Sequence, residues 1–139
     1  MILLPHRASR ETMSEAITRG VAVSVRSFYV AERSDPMQDY YFFAYRVRIA
    51  NVGDETVQLV SRHWVITDGE NKVEEVKGPG VVGDQPILRP SESYEYTSAC
   101  PLSTPVGTMQ GTYQMISKSG EGFDAVIAPF TLAAPNALN

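Results

Sequence analysis

The stretch Gly78-Pro79-Gly80-Val81-Val82-Gly83-Asp84-Gln85-Pro86 decides between two fold classes. Its Gly-x-Gly-x-x-Gly spacing matches a dinucleotide-binding phosphate loop. Such a loop follows a buried parallel strand and opens a helix, whose N-terminus receives the pyrophosphate. Here the approach, Asn71-Lys72-Val73-Glu74-Glu75-Val76-Lys77, is polar and short, and the exit to Pro90 carries both Pro86 and Pro90. Proline lacks an N–H and restricts the residue before it, so no regular helix is expected after these glycines. They are expected in a loop of a β protein.

The segments on either side agree. Val21, Val23 and Val25 alternate with Ala22, Ser24 and Arg26, the period of a half-buried strand. Phe28 and Val30 continue on the other parity, which predicts a bulge or bend near Ser27. Tyr41, Phe43, Tyr45, Val47 and Ile49 share one face of the next strand, and Asn51-Val52-Gly53-Asp54 closes it with turn chemistry. A strand from about Thr56 to Thr67 would put Val60, Trp64 and Ile66 on one side and Val57, Leu59, His63 and Val65 on the other. Asp68-Gly69 signals a hairpin into a charged edge strand over Val73–Val76. Further strands are expected over Tyr94–Ser98, Met109–Ile116 and Phe123–Leu132, with Pro101–Gly107 a loop and an edge or bulge at Pro129. Seven or eight short antiparallel strands with regular turns predict an all-β sandwich of the fibronectin type III or immunoglobulin kind, a barrel being the alternative. Residues 1–19 read as a disordered tail or a short helix packed on the domain, 20–132 as the domain, and 133–139 as a fraying tail. The native start is open between Met1 and Met13.

Composition narrows the function. The 139 residues suit one domain, and a formal net charge of -4 gives no general attraction to nucleic acid or anionic membrane. The longest apolar run, Tyr40–Tyr45, is far too short to span a bilayer, and the first residues make a poor signal peptide. A cytoplasmic address follows as the default. One cysteine and two histidines, His6 and His63, argue against a closed zinc site, and no cofactor is implied. Asp68, Glu70, Glu74 and Glu75 offer oxygen ligands of the kind a hard cation such as magnesium takes, and a solvated hairpin edge accounts for them better. Cys100 has no cationic neighbour in sequence, so it reads as a small buried residue. No nucleophile–base–orienter set can be built around His63, and no catalytic residue is assigned.

Taken together, the segments resemble the ApaG family from about residue 18 to 132. The resemblance rests on Phe43–Asn51, Gln58–Gly69, Val76–Pro86, Leu88–Pro90, Tyr94, Tyr96, Ser98, Cys100–Leu102 and Gly111–Met115. It implies a fibronectin type III-like sandwich and a bacterial cytoplasmic protein whose name is linked to cobalt and magnesium resistance or efflux. Similar domains in eukaryotic F-box and polymerase-delta-interacting proteins imply a protein-interaction role. Family members often carry Gly where Ser91 stands. Two functional expectations result. The first is a non-enzymatic interaction module, a monomer or weak homodimer, presenting an edge, loops or the Phe42/Ala44 face to a protein partner, with no nucleic acid and no membrane insertion. The second is a binder of a small anion, nucleotide or pyrophosphate. It would use Gly78, Gly80, Gly83, Asp84 and Gln85, with Arg89 supplying charge.

Overall fold

The computed structural model describes residues 11–137. Nine antiparallel strands follow one another: β1 (Thr12–Thr18), β2 (Val21–Tyr29), β3 (Tyr41–Asn51), β4 (Val57–Asp68), β5 (Val73–Pro79), β6 (Ile87–Leu88), β7 (Ser93–Leu102), β8 (Val106–Ser117) and β9 (Gly122–Ala133). One sheet has the order β1-β2-β3-β7. The other runs β5-β4-β8-β9, with the two-residue β6 sharing an edge of β4 with β5. The two sheets face each other as a sandwich, which excludes the barrel. The only helical turns among the described residues are two short 3-10 segments, Ala31–Arg33 and Pro36–Gln38.

The inward residues of both sheets meet in one core. Val21, Val23, Val25, Phe43, Val47 and Ile49 come from the first sheet, and Leu59, Trp64, Met109, Tyr113, Ile127 and Leu132 from the second. Trp64 is central, with ring centroids 5.4 Å from Tyr45, 6.0 Å from Phe130 and 6.2 Å from Tyr113, all edge-on. Edge-to-face contact suits the ring quadrupoles. The Tyr96 and Tyr113 hydroxyls bond each other inside this core, and burial pushes both phenols to higher pKa. Asn51 is buried, yet its amide serves Glu55 O, Leu88 O and Gly53 N–H, so no polar atom there is stranded.

Several expectations need correction. Residues 12–18, assigned to the disordered tail, form β1, paired in register with β2 from Thr12↔Ser27 to Thr18↔Val21. Its outward residues include Met13 and Ile17, 69% and 65% exposed, while Thr12, Ser14 and Thr18 turn inward to β9. Tail readings for residues 1–10, with His6 and the choice of start, fall outside the described residues. At the other end Ala133 and Ala134 are buried, and Ala134 N–H donates to Pro105 O, so the domain runs past 132. No bulge occurs at Ser27, because the β2–β3 register is unbroken and Ser27 fills an inward position, its hydroxyl bonded to Thr131 O. The bulge lies instead in β4 between Leu59 and Ser61. It turns Val60 outward and puts Val57 and Leu59 on the same inner face as Trp64 and Ile66, reversing the expected parity. A second irregularity sits opposite Met109/Gly111, where β9 carries Ala128-Pro129, as that proline signalled. The hairpin signalled by Asp68-Gly69 does form, over Asp68–Lys72, with Asn71 as its left-handed residue. β7 extends through Pro101, expected to be loop.

Candidate functional site

The Gly78–Gln85 segment leaves β5 and returns through β6, both strands on the same edge of β4. Gly78 lies opposite Arg62, and a Cβ there would come within 3.0 Å of the guanidinium. Arg62 uses that space to donate to Pro79 O at 2.9 Å and Gly80 O at 3.0 Å. Gly80 is left-handed at φ 59°, and a Cβ on it would stand 2.2 Å from Asp84 O. Val81 and Asp84 then exchange two backbone hydrogen bonds of 2.8 Å around Val82 (φ 42°) and Gly83 (φ 87°), the dihedral signature of a type I′ turn. Val81 drops into the core, fully buried.

An anion nest needs amides free to converge. In this loop Gly80 N–H is donated to Val60 O, Val81 N–H to Asp84 O and Asp84 N–H to Val81 O. The Asp84 carboxylate accepts from the Tyr94 hydroxyl at 2.6 Å, and that bond raises the phenol's pKa. Gln85 donates its side-chain amide to Val60 O and accepts from Gln58. Arg89 is engaged elsewhere, in its own turn. Its side chain pairs with Glu92 at 3.2 Å, and Glu92 also accepts Arg89 N–H, which holds the Glu92 carboxyl below its usual pKa. The structure thus gathers Gly78, Gly80, Asp84 and Gln85 around the β4 bulge and the Arg62 guanidinium. Gly83 stands at the turn tip, and Arg89 belongs to the next turn.

The other singled-out residues have plain positions. His63 faces outward and bonds Glu75 at 2.7 Å. Asp68 accepts the Glu70 and Lys72 amides and so closes its own hairpin. Among the described residues no group of three or more His, Cys, Asp or Glu is placed to hold a metal ion. Cys100 is buried, and burial, with a smaller contribution from Glu74, pushes its thiol up to about 11. Phe42 lies on the outer face but is covered by the Arg33 guanidinium, 4.5 Å above its ring.

One feature escaped the sequence reading: the outer edge of β7. In an antiparallel ladder, successive residues direct their main-chain groups to alternate sides. Val30 N–H donates to Phe42 O and Val52 N–H to Gly20 O, so the even-numbered residues of β3 serve β2. The odd-numbered ones serve β7, where they pair with Tyr94, Tyr96, Ser98, Cys100 and Leu102. The alternate set, Ser93, Glu95, Thr97, Ala99 and Pro101, therefore turns its main chain away from β3. All five are exposed, and no described strand pairs with that edge. Pro101, which has no N–H, falls in this set, the position a proline can occupy without cost to the ladder. That proline was the available signal. The sole charge in β7, Glu95, is held by Arg46 at 2.6 Å and Arg48 at 3.5 Å.

The other three edges are defended. β5 carries Glu74, Glu75 and Lys77. β1 and β9 lie side by side and are joined through Thr12 to Thr131 O, Ser14 to Ala128 O and Thr18 to Val126 N–H.

Comparison with known proteins agrees with this architecture. The family model described as the ApaG domain matches residues 31–117. Protein ApaG of Thiobacillus denitrificans is 55% identical over 127 residues, covering 91% of this chain and all of the relative. Protein ApaG of Mesorhizobium japonicum is 56% identical over 123 residues, 88% of this chain and 95% of the relative. The crystal structure of an ApaA protein from Bordetella pertussis superposes with a TM-score of 0.82 at 56% identity, covering 84% of this chain and 94% of that one. With these matches over most of its length, the chain belongs to the ApaG family.

Proposed function

We propose that the protein is a non-enzymatic interaction module of the cytoplasm whose working surface is the outer edge of β7, where a protein partner adds an extended strand. The observation that supports this is the row of open main-chain groups at Ser93, Glu95, Thr97 and Ala99, on the one edge that, among the described residues, is guarded neither by a neighbouring strand nor by unpaired charge. Strand addition draws affinity from main-chain hydrogen bonds and needs no catalytic group. The link of the family's name to cobalt and magnesium then reflects an indirect effect exerted through the partner.

A photo-crosslinking amino acid at Ala99, with a control at Thr112 on the opposite sheet, tests the proposal in living cells. Adducts to a defined protein should form from position 99 and be absent or far weaker from 112. Equal labelling from both would sink it. An anion-binding role would instead rest on the Val82 and Gly83 amides at the turn tip. Saturable amide shifts confined to those residues during pyrophosphate titration would favour that reading.

A further inference from the structure

We infer that the partner of the β7 edge includes a second copy of this chain, the two β7 strands pairing antiparallel about a twofold axis through Thr97. The inference rests on the reading of β7 as the docking edge and adds the occupant and the register.

The edge is self-complementary. Its outward set, Ser93, Glu95, Thr97, Ala99 and Pro101, is symmetric about Thr97. A twofold there sets Thr97 against Thr97, Glu95 against Ala99 and Ser93 against Pro101 of the other copy. Glu95, Thr97 and Ala99 of each chain can then exchange both of their main-chain bonds. At the ends Ser93 N–H meets Pro101 O, and the proline's missing N–H falls at the last pair, where loss of a bond matters least.

Extent of pairing and charge together favour this register: an axis through Tyr96 or Ser98 would pair four rather than five of the outward residues of β7. Centring the axis on Glu95 would oppose two carboxylates directly, which is destabilising in a ladder. Centring it on Ala99 would bring Pro101 opposite Thr97 and leave part of the edge unpaired. With Thr97 at the axis each Glu95 faces an alanine and stays neutralised by its own Arg46 and Arg48. The chain carries a formal net charge of -4, so two copies repel in general. The β7 edge is a place where they meet without bare charge. The small side chains at Thr97, Ser98 and Ala99 offer little bulk to the approaching backbone. The product is one eight-stranded sheet, ordered β1-β2-β3-β7 in one copy and mirrored by the twofold in the next.

Sedimentation equilibrium from micromolar to millimolar protein reads the association, with Thr97→Lys as the test variant. Thr97 is exposed and its hydroxyl accepts only from the exposed Arg46, at 3.1 Å, so this substitution leaves the core alone, and a circular dichroism melt checks that the fold persists. The expected result is a mass that doubles with concentration in the wild type. In Thr97→Lys, where two ammonium groups face each other across the axis, association should weaken at least about tenfold. An independent check places cysteine at Thr97 in a Cys100→Ala background. A hydrogen-bonded pair holds its Cα atoms about 5.5 Å apart, within disulfide range. Oxidation should join Thr97→Cys chains to each other, and Glu95→Cys to Ala99→Cys only when the two are mixed. A wild type that stays monomeric throughout, or a dimer indifferent to Thr97→Lys, overturns the inference. Monomeric protein that still crosslinks from position 99 to a different chain would overturn self-pairing alone and leave the interaction module intact.

Discussion

Single residues carry strain that can be measured. Ser91 sits at φ 78° behind Pro90, and Glu92 N–H closes the turn on Arg89 O. That is the third position of a type II turn, where glycine is favoured because it has no Cβ to clash. A glycine at this position would have a conformational reason, and the chain makes the turn with serine. Ser91→Gly should stabilise the protein by about 1 kcal/mol in urea unfolding. Gly80→Ala should cost upwards of about 3 kcal/mol, since left-handed strain adds to a Cβ placed 2.2 Å from Asp84 O. Gly83→Ala, with open space around it, should cost only about 1 kcal/mol. Equal losses at the two glycines would refute the packing role given to Gly80. Cys100 supplies a pH signature. Its thiol pKa rises from an ordinary 9.0 to about 11, so the native state holds this proton more tightly than the unfolded chain. The stability tied to that proton is intact below pH 9 and is lost as pH climbs toward 11. Urea midpoints should therefore fall across this window, and Cys100→Ala should flatten the first part, leaving the decline from the buried tyrosines. Cys100 was legible as a buried residue from its size and the lack of a cationic neighbour. The Asp84–Tyr94 bond was not, because nothing in local sequence tells that a loop carboxylate meets a phenol ten residues on.

At the scale of strands, alternation was readable wherever a strand is straight and its inner face apolar. β3 is the clear case, with Phe43, Tyr45, Val47 and Ile49 all inward as their spacing predicts. Two physical effects hid the rest. A bulge adds one residue and exchanges the faces beyond it, so strict alternation through β4 wrongly placed Val60 with Trp64 and Ile66 and set Val57 and Leu59 against them. β1 inverts the usual signal, because its inward side meets the edge of β9 rather than side chains, and hydroxyls serve that backbone better than methyl groups. Thr12, Ser14 and Thr18 contribute three such bonds, each worth about 1 kcal/mol. Deleting residues through Arg19 should thus lower stability by roughly 3 kcal/mol or more and expose Val21–Val25. A truncated chain with an unchanged melting temperature would return β1 to the status of a tail.

For the whole molecule the two flanks of the sandwich differ. On one, β1 and β9 close the gap between sheets. On the other, β5 defends itself with charge, Val81 plugs the core, and β7 is left open. Alternation and composition showed a β protein of modest negative charge, but not this asymmetry, which depends on the order of strands across the sheets. The sealed flank also says something about connectivity. Its strands are the first and the last described, and Thr12 touches Thr131 across nearly the full length of the chain. The domain's beginning and end are neighbours in space, so the backbone is close to a closed ring. Joining Ala134 to Thr12 by a short flexible linker and cutting instead between Val82 and Gly83, at the exposed turn tip, should give a reordered chain with the same sandwich, in which the former end of the polypeptide has become its middle.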